Sequence, residues 1–151
     1  MKFNIKLILL GGLVFYAAQF VVAMVTGMFI HEGVLDPIYA SVPEFWRPEL
    51  NQDPPDMAAL MPRWIATGLI GAFVGVFFWD NIRSALGGSG AAAGAKFGFL
   101  MALFYASFCL GNSGIFNLPG SIWMWWAIDG TVIFLVGGAA LGWITPKLAS
   151  D

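Results

Sequence analysis

Charge is the scarcest property of this 151-residue chain. Only 11% of its residues are Asp, Glu, Lys or Arg, where soluble domains carry about a quarter. From Phe97 to Ile128 only Lys-free, acid-free sequence occurs, and after Asp129 no charge returns until Lys147. The single cysteine, Cys109, excludes an intrachain disulfide and reads as a small buried hydrophobe in an apolar run. One histidine and no cysteine pair exclude the usual zinc patterns. No basic cluster points to nucleic acid. Neither a serine or cysteine nucleophile with a spaced base nor a glycine-rich phosphate loop after a strand is visible, so a non-enzyme is expected.

What is present is apolar. Hydrophobic residues make up 59% of the chain and the mean hydropathy is +0.79. Repeated runs of 18 or more apolar residues predict several transmembrane helices within one domain. The expected fold is therefore all-α: a polytopic membrane protein with four spans, about 5–30, 57–80, 92–111 and 121–144, in a left-handed bundle. The first run, Leu7 to Ile30, outlasts the roughly 7–15 residues of a signal-peptide core, so a retained span is expected.

Residues 31–56 read as an acidic outer loop. They hold Glu32, Asp36, Glu44, Glu49, Asp53 and Asp56 against Arg47 alone, with Pro37, Pro43, Pro48, Pro54 and Pro55. Ser41-Val-Pro-Glu44 has the capping-box pattern and predicts a short helix through Phe45 and Trp46. Asp56 is placed to cap the second span, and Pro146 to stop the fourth. Residues 81–91 form a polar, glycine-rich turn, with Lys96 just beyond it free to snorkel to headgroups. Lys2, Lys6, Arg83, Lys96 and Lys147 fall on one side of this topology, Arg47 and Arg63 on the other. The positive-inside rule then puts both termini in the cytoplasm and the acidic loop in the periplasm.

Glycines recur at helical spacing: Gly68, Gly71 and Gly75; Gly90, Gly94 and Gly98; Gly138 and Gly142. Small residues four apart let helices approach closely. Three such stripes exceed what neighbour packing needs, so some are expected to face a second copy or another membrane protein. Phe15-Tyr-Ala-Ala18 resembles Phe104-Tyr-Ala-Ser107, and Gly75 and Trp79 match Gly138 and Gly142. These matches suggest two repeated hairpins related by an axis along the membrane normal.

Asp129 is the residue with the most to explain. It follows Trp123, Trp125 and Trp126, roughly 12 Å below the outer end of its span. A carboxylate at a span centre costs about 2.5–3.5 kcal/mol on insertion scales and usually finds a partner. Arg63 is the expected partner, with protonated Asp129 bonded to backbone or Thr26 as the alternative. A structural clasp and a proton or cation site are both open at this point. Tyr16, Gln19, Tyr105 and Ser107 are candidates for a polar layer inside the bundle. Met24, Met28 and His31 at i, i+4 and i+7, with Met57 and Met61 nearby, form a soft ligand set that suits Cu(I). The same methionines read equally as flexible packing.

Gly11-Gly-Leu-Val-Phe15 opening the first span, Phe45-Trp-Arg-Pro-Glu49 in the outer loop and the glycine-rich turn resemble a family of small bacterial inner-membrane proteins of unassigned function. The resemblance implies a bacterial source and a four-helix membrane fold, and it carries over no catalytic residues. The leading expectation is a non-enzymatic membrane subunit, homo-oligomeric or accessory to a larger complex in the bilayer. A small transporter or channel using Asp129 and outer-face copper binding are the alternatives.

Overall fold

The computed structural model describes residues 3–149, and among these there is no strand. Four long helices carry the chain: α1 (Leu7–Tyr39), α2 (Met57–Ile82), α3 (Gly90–Ser113) and α4 (Gly120–Leu148). Each is long and apolar enough to cross a membrane. They form a bundle of two hairpins in which α4 lies between α3 and α1, and α2 leans on α1. One end carries the 40–56 loop and the 114–119 turn (the loop end). The other carries the 83–89 turn and residues 3 and 149 (the turn end).

The first helix departs from the expected boundary. It runs 33 residues rather than stopping at Ile30, and residues 31–39, expected as loop, are helical. At 1.5 Å per residue that is up to ~50 Å, well beyond a ~30 Å hydrocarbon core. Burial extends it: Ile30 and Leu35 pack on Ile122 of α4, with Trp125 and Trp126 around them. Pro37 does not break the helix because Gly27–Leu35 forms wide i→i+5 turns and a fresh α-turn, Asp36–Tyr39, begins with the proline at its start.

The remaining loop, 40–56, holds two 3-10 turns, Pro43–Phe45 and Pro48–Asn51. The expected capping box does not form. Ser41 Oγ donates instead to the Ile38 carbonyl at 2.7 Å, closing α1. Trp46 ties the loop down by donating its indole N–H to the Tyr39 carbonyl at 2.9 Å. The hydrogen bond from Arg47 (2.9 Å) holds the half-buried Glu49 carboxyl below its usual range, and the Arg63 charge adds to this. Asp56 caps α2 as expected, accepting from the Ala59 amide at 3.1 Å.

Gly87 and Gly88 adopt φ of +62° and +86° in the turn between α2 and α3, which other residues resist. Lys96 Nζ donates to the Leu86 and Gly87 carbonyls at 3.2 Å, so it closes this turn rather than reaching for headgroups. Pro146 does not stop α4. It falls in the last turn, where it leaves only the Gly142 carbonyl without its helical donor, and the helix reaches Leu148.

Glycines decide how α3 and α4 meet. A Cβ on Gly94 would strike the Gly138 carbonyl and come within 2.7 Å of Gly142 Cα. A Cβ on Gly138 would strike the Gly94 carbonyl and lie 2.8 Å from Gly98 Cα. The backbones are in direct contact, so these two stripes are used inside the chain. Gly68 and Gly75 accommodate the rings of Tyr16 and Phe15 from α1, while Gly71 has nothing near it. The two stretches matched as a repeat meet different surroundings: Phe15 is 2% exposed and Phe104 73%.

The main core fills the turn end with Leu7, Phe15, Val76, Trp79, Phe97 and Leu141. There Trp79 Nε1 donates to Thr145 Oγ1 at 2.9 Å, joining α2 to α4. Asp80 is also buried there, 3.3 Å from Arg83 Nε and accepting from the Asn4 amide at 3.4 Å. At the loop end α2 parts from the bundle, and from Met57 to Thr67 only Leu60 is buried.

Candidate functional site

Asp129 sits ten residues into α4 and is 8% exposed. Its Oδ2 lies 3.1 Å from His31 Nε2. The other imidazole nitrogen, Nδ1, is 2.7 Å from the Tyr39 hydroxyl, and the two rings stack at 6.0 Å. Trp126 Nε1 donates to that same hydroxyl at 2.7 Å. A hydrogen-bonded line thus runs Trp126–Tyr39–His31–Asp129. The wide turns of Gly27–Leu35 matter here, because more residues per turn shorten the rise and bring His31 and Tyr39, eight apart, onto one side.

Aromatic rings roof the line at the loop end. Trp46 packs edge-on against Tyr39 at 4.9 Å and near Trp126 at 6.3 Å, and Trp123 meets Trp126 at 5.4 Å. Beneath it, Tyr105 of α3 lies against Gly130 and is within electrostatic reach of Asp129 and Tyr39. Asp129 Oδ1 and Trp123 Nε1 are buried and unpartnered among the described residues.

Arg63 is not Asp129's partner. It is exposed on the part of α2 that has left the bundle, where it lies in the field of Glu49. Arg63→Ala is therefore expected to change stability by no more than about 0.5 kcal/mol in thermal unfolding in detergent. A loss above about 2 kcal/mol would mean that its charge is needed at the buried acid after all. Thr26 is occupied with its own helix, donating to the Val22 carbonyl at 3.0 Å.

The expected polar layer is not assembled as one. Tyr16 fills the notch at Gly68, Gln19 lies against Gly137, Tyr105 against Gly130, and Ser107 donates to its own Leu103 carbonyl. Met24, Met28 and Met57 are exposed, and both His31 nitrogens are engaged in the Tyr39–Asp129 line. His31 thus turns inward, away from those thioethers.

Two members of the site were missed from sequence. Tyr39 and Trp46 lie in the stretch read as loop, and only their aromatic character within an acidic, proline-rich segment marked them out. No protein-family model, curated protein or solved structure matches this chain.

Proposed function

We propose that this chain is a non-enzymatic integral membrane component that senses protons at the outer side of a bacterial inner membrane. Its His31–Asp129 pair takes up a proton, and the neighbouring 40–56 loop responds. The observation that carries this reading is the exchange of partner at Asp129. An arginine partner would stay charged at any physiological pH. Imidazole is the side chain whose charge ordinarily changes between pH 5 and 8.

Burial favours a sensor over a conduit. The His31 side chain is 36% exposed and the Asp129 side chain 11%. Toward the turn end, Leu7, Val76 and Leu141 are fully buried and Phe15 and Phe97 nearly so. That packing offers a proton no polar path onward. Orientation rests on charge: Lys6, Arg83, Lys96 and Lys147 belong to the turn end, while six acids lie at the loop end. The loop is then periplasmic and the termini cytoplasmic.

The test is a pair of measurements in proteoliposomes. Under an imposed pH gradient, the protein is expected to add no proton flux over empty vesicles. Its tryptophan emission is expected to change on acidification, and Asp129→Asn to flatten that change. Flux that Asp129→Asn abolishes would make the protein a conduit instead. A flat titration in the unaltered chain would remove the proton site altogether.

A second reading, a membrane subunit that docks on another protein or a second copy, is favoured by α2. Its loop-end half is mostly exposed and Gly71 faces open space. Native mass spectrometry in mild detergent distinguishes a monomer from an assembly.

A further inference from the structure

Three polar hydrogens and their acceptors decide where the proton sits. Trp126 Nε1–H only donates, so it supplies a hydrogen to the Tyr39 oxygen. Tyr39 has one hydrogen, and His31 Nδ1 at 2.7 Å can receive it. His31 then carries its own proton on Nε2, which points at Asp129 Oδ2 at 3.1 Å. In this arrangement each of the three donors has one acceptor. The opposite arrangement puts the imidazole hydrogen on Nδ1. Tyr39 would then receive two hydrogens with no acceptor for its own, and Asp129 would have to be protonated to donate to Nε2. Buried polar groups are rarely left so.

The direction of the line has a consequence for proton uptake. With Nε2 already protonated, an added proton forms its N–H bond at Nδ1, the nitrogen that faces Tyr39. Uptake reverses that hydrogen bond: Nδ1–H now donates to the Tyr39 oxygen, and the Tyr39 hydrogen must turn elsewhere. Tyr39 is also where the loop is tied, through the Trp46 indole on its carbonyl and the Trp46 ring on its face. We propose that Tyr39 is the positioning residue that holds the His31 proton on Nε2 and transmits proton uptake at Nδ1 to the 40–56 loop through Trp46. This rests on the proton-site reading above.

The charged and titratable groups around the imidazole are few. Asp129 faces it from α4 and Tyr39 from its own helix. Tyr105, from α3, is within reach of both of these. Glu32 and Asp36 on α1 are exposed, and Arg63 on α2 interacts with Glu49. Asp129 is thus the acid that faces Nε2, while Nδ1 faces Tyr39.

A single histidine makes this directly measurable. In the full chain labelled with 15N-histidine in lipid nanodiscs, two ring-nitrogen signals report protonation and tautomer. At alkaline pH, Nε2 is expected to carry the hydrogen and Nδ1 to be bare. On acidification Nδ1 is expected to gain a proton, with the Trp46 indole signal moving at the same midpoint. Tyr39→Phe keeps the ring but removes the hydroxyl. It is expected to leave a His31 titration in place while the pH-dependent shift of Trp46 falls at least fivefold.

Co-titration of Trp46 in Tyr39→Phe, or a bare Nε2 at alkaline pH in the unaltered chain, overturns the proposal and leaves the proton site standing. No His31 titration in the unaltered chain overturns both. Should Tyr39→Phe fail to fold, Trp46→Phe takes its place, with the Asn51 side-chain amide, which donates to the Pro43 carbonyl, as the loop's reporter. The same uncoupling is expected there, and an unchanged Asn51 response overturns the proposal.

Discussion

Gly138→Leu is expected to abolish the folded state's cooperative unfolding transition in detergent, or to lower its stability by more than about 3 kcal/mol. Overpacking an ordinary core costs about 1–3 kcal/mol because side chains can shift aside. At Gly138 the obstacle is backbone: the Gly94 carbonyl and, at 2.8 Å, the Gly98 Cα. Neither helix can yield without separating along its length. The partner glycines on α3 would lose their contact at the same time, since Gly94 meets both Gly138 and Gly142. Gly71→Leu is the control. Its Cβ direction is open, so stability is expected to stay within about 0.5 kcal/mol of the parent. A change in its oligomer size without a change in stability would place a partner on that face. Equal stability of Gly138→Leu and the parent would mean that α3 and α4 do not touch as described.

His31→Leu is expected to destabilise the protein by about 1–3 kcal/mol at neutral pH, the range for leaving a buried polar group without its partner. Asp129 would then keep neither oxygen partnered, since Oδ1 already has none. The penalty belongs to the ionised carboxylate. His31→Leu combined with Asp129→Leu should recover most of the loss, because an apolar pair of similar volume commonly replaces a buried polar pair at little cost. Chemical unfolding of the single and double variants at neutral pH decides it. A loss that the second substitution does not relieve would make His31 a packing residue.

The choice of partner for Asp129 illustrates how sequence reasoning works and where it stops. A lone acid in an uncharged span had to be important, and it is buried at 8% exposure. Its expected partner, Arg63, was chosen by counting residues along two helices assumed to be side by side. The loop end of α2 diverges from the bundle, so equal depth did not mean proximity. His31 was read as a possible metal ligand at the outer end of its span. The helix nevertheless continues, held by Ile30 and Leu35 against Ile122. Neither fact leaves a trace in local composition.

The glycines make the same point from the other side. Four-residue spacing marked Gly94, Gly98, Gly138 and Gly142 as close-approach surfaces, and they are. Spacing says nothing about which helix does the approaching. Part of the surface expected to face another protein is occupied by the chain's own neighbouring helix.

By itself the sequence determined that four apolar helices would form, roughly where they lie, and which acid would be costly to bury. Those properties depend on hydropathy and turn chemistry, which act within a few residues. Only the tertiary structure decided that Asp129 meets a histidine 98 positions away. It also decided that two glycine stripes close on each other and that a tyrosine from the loop-end turn of α1 completes the line. Each of these depends on how whole helices are placed, and bilayer-compatible apolar faces of nearly equal character do not encode that placement locally.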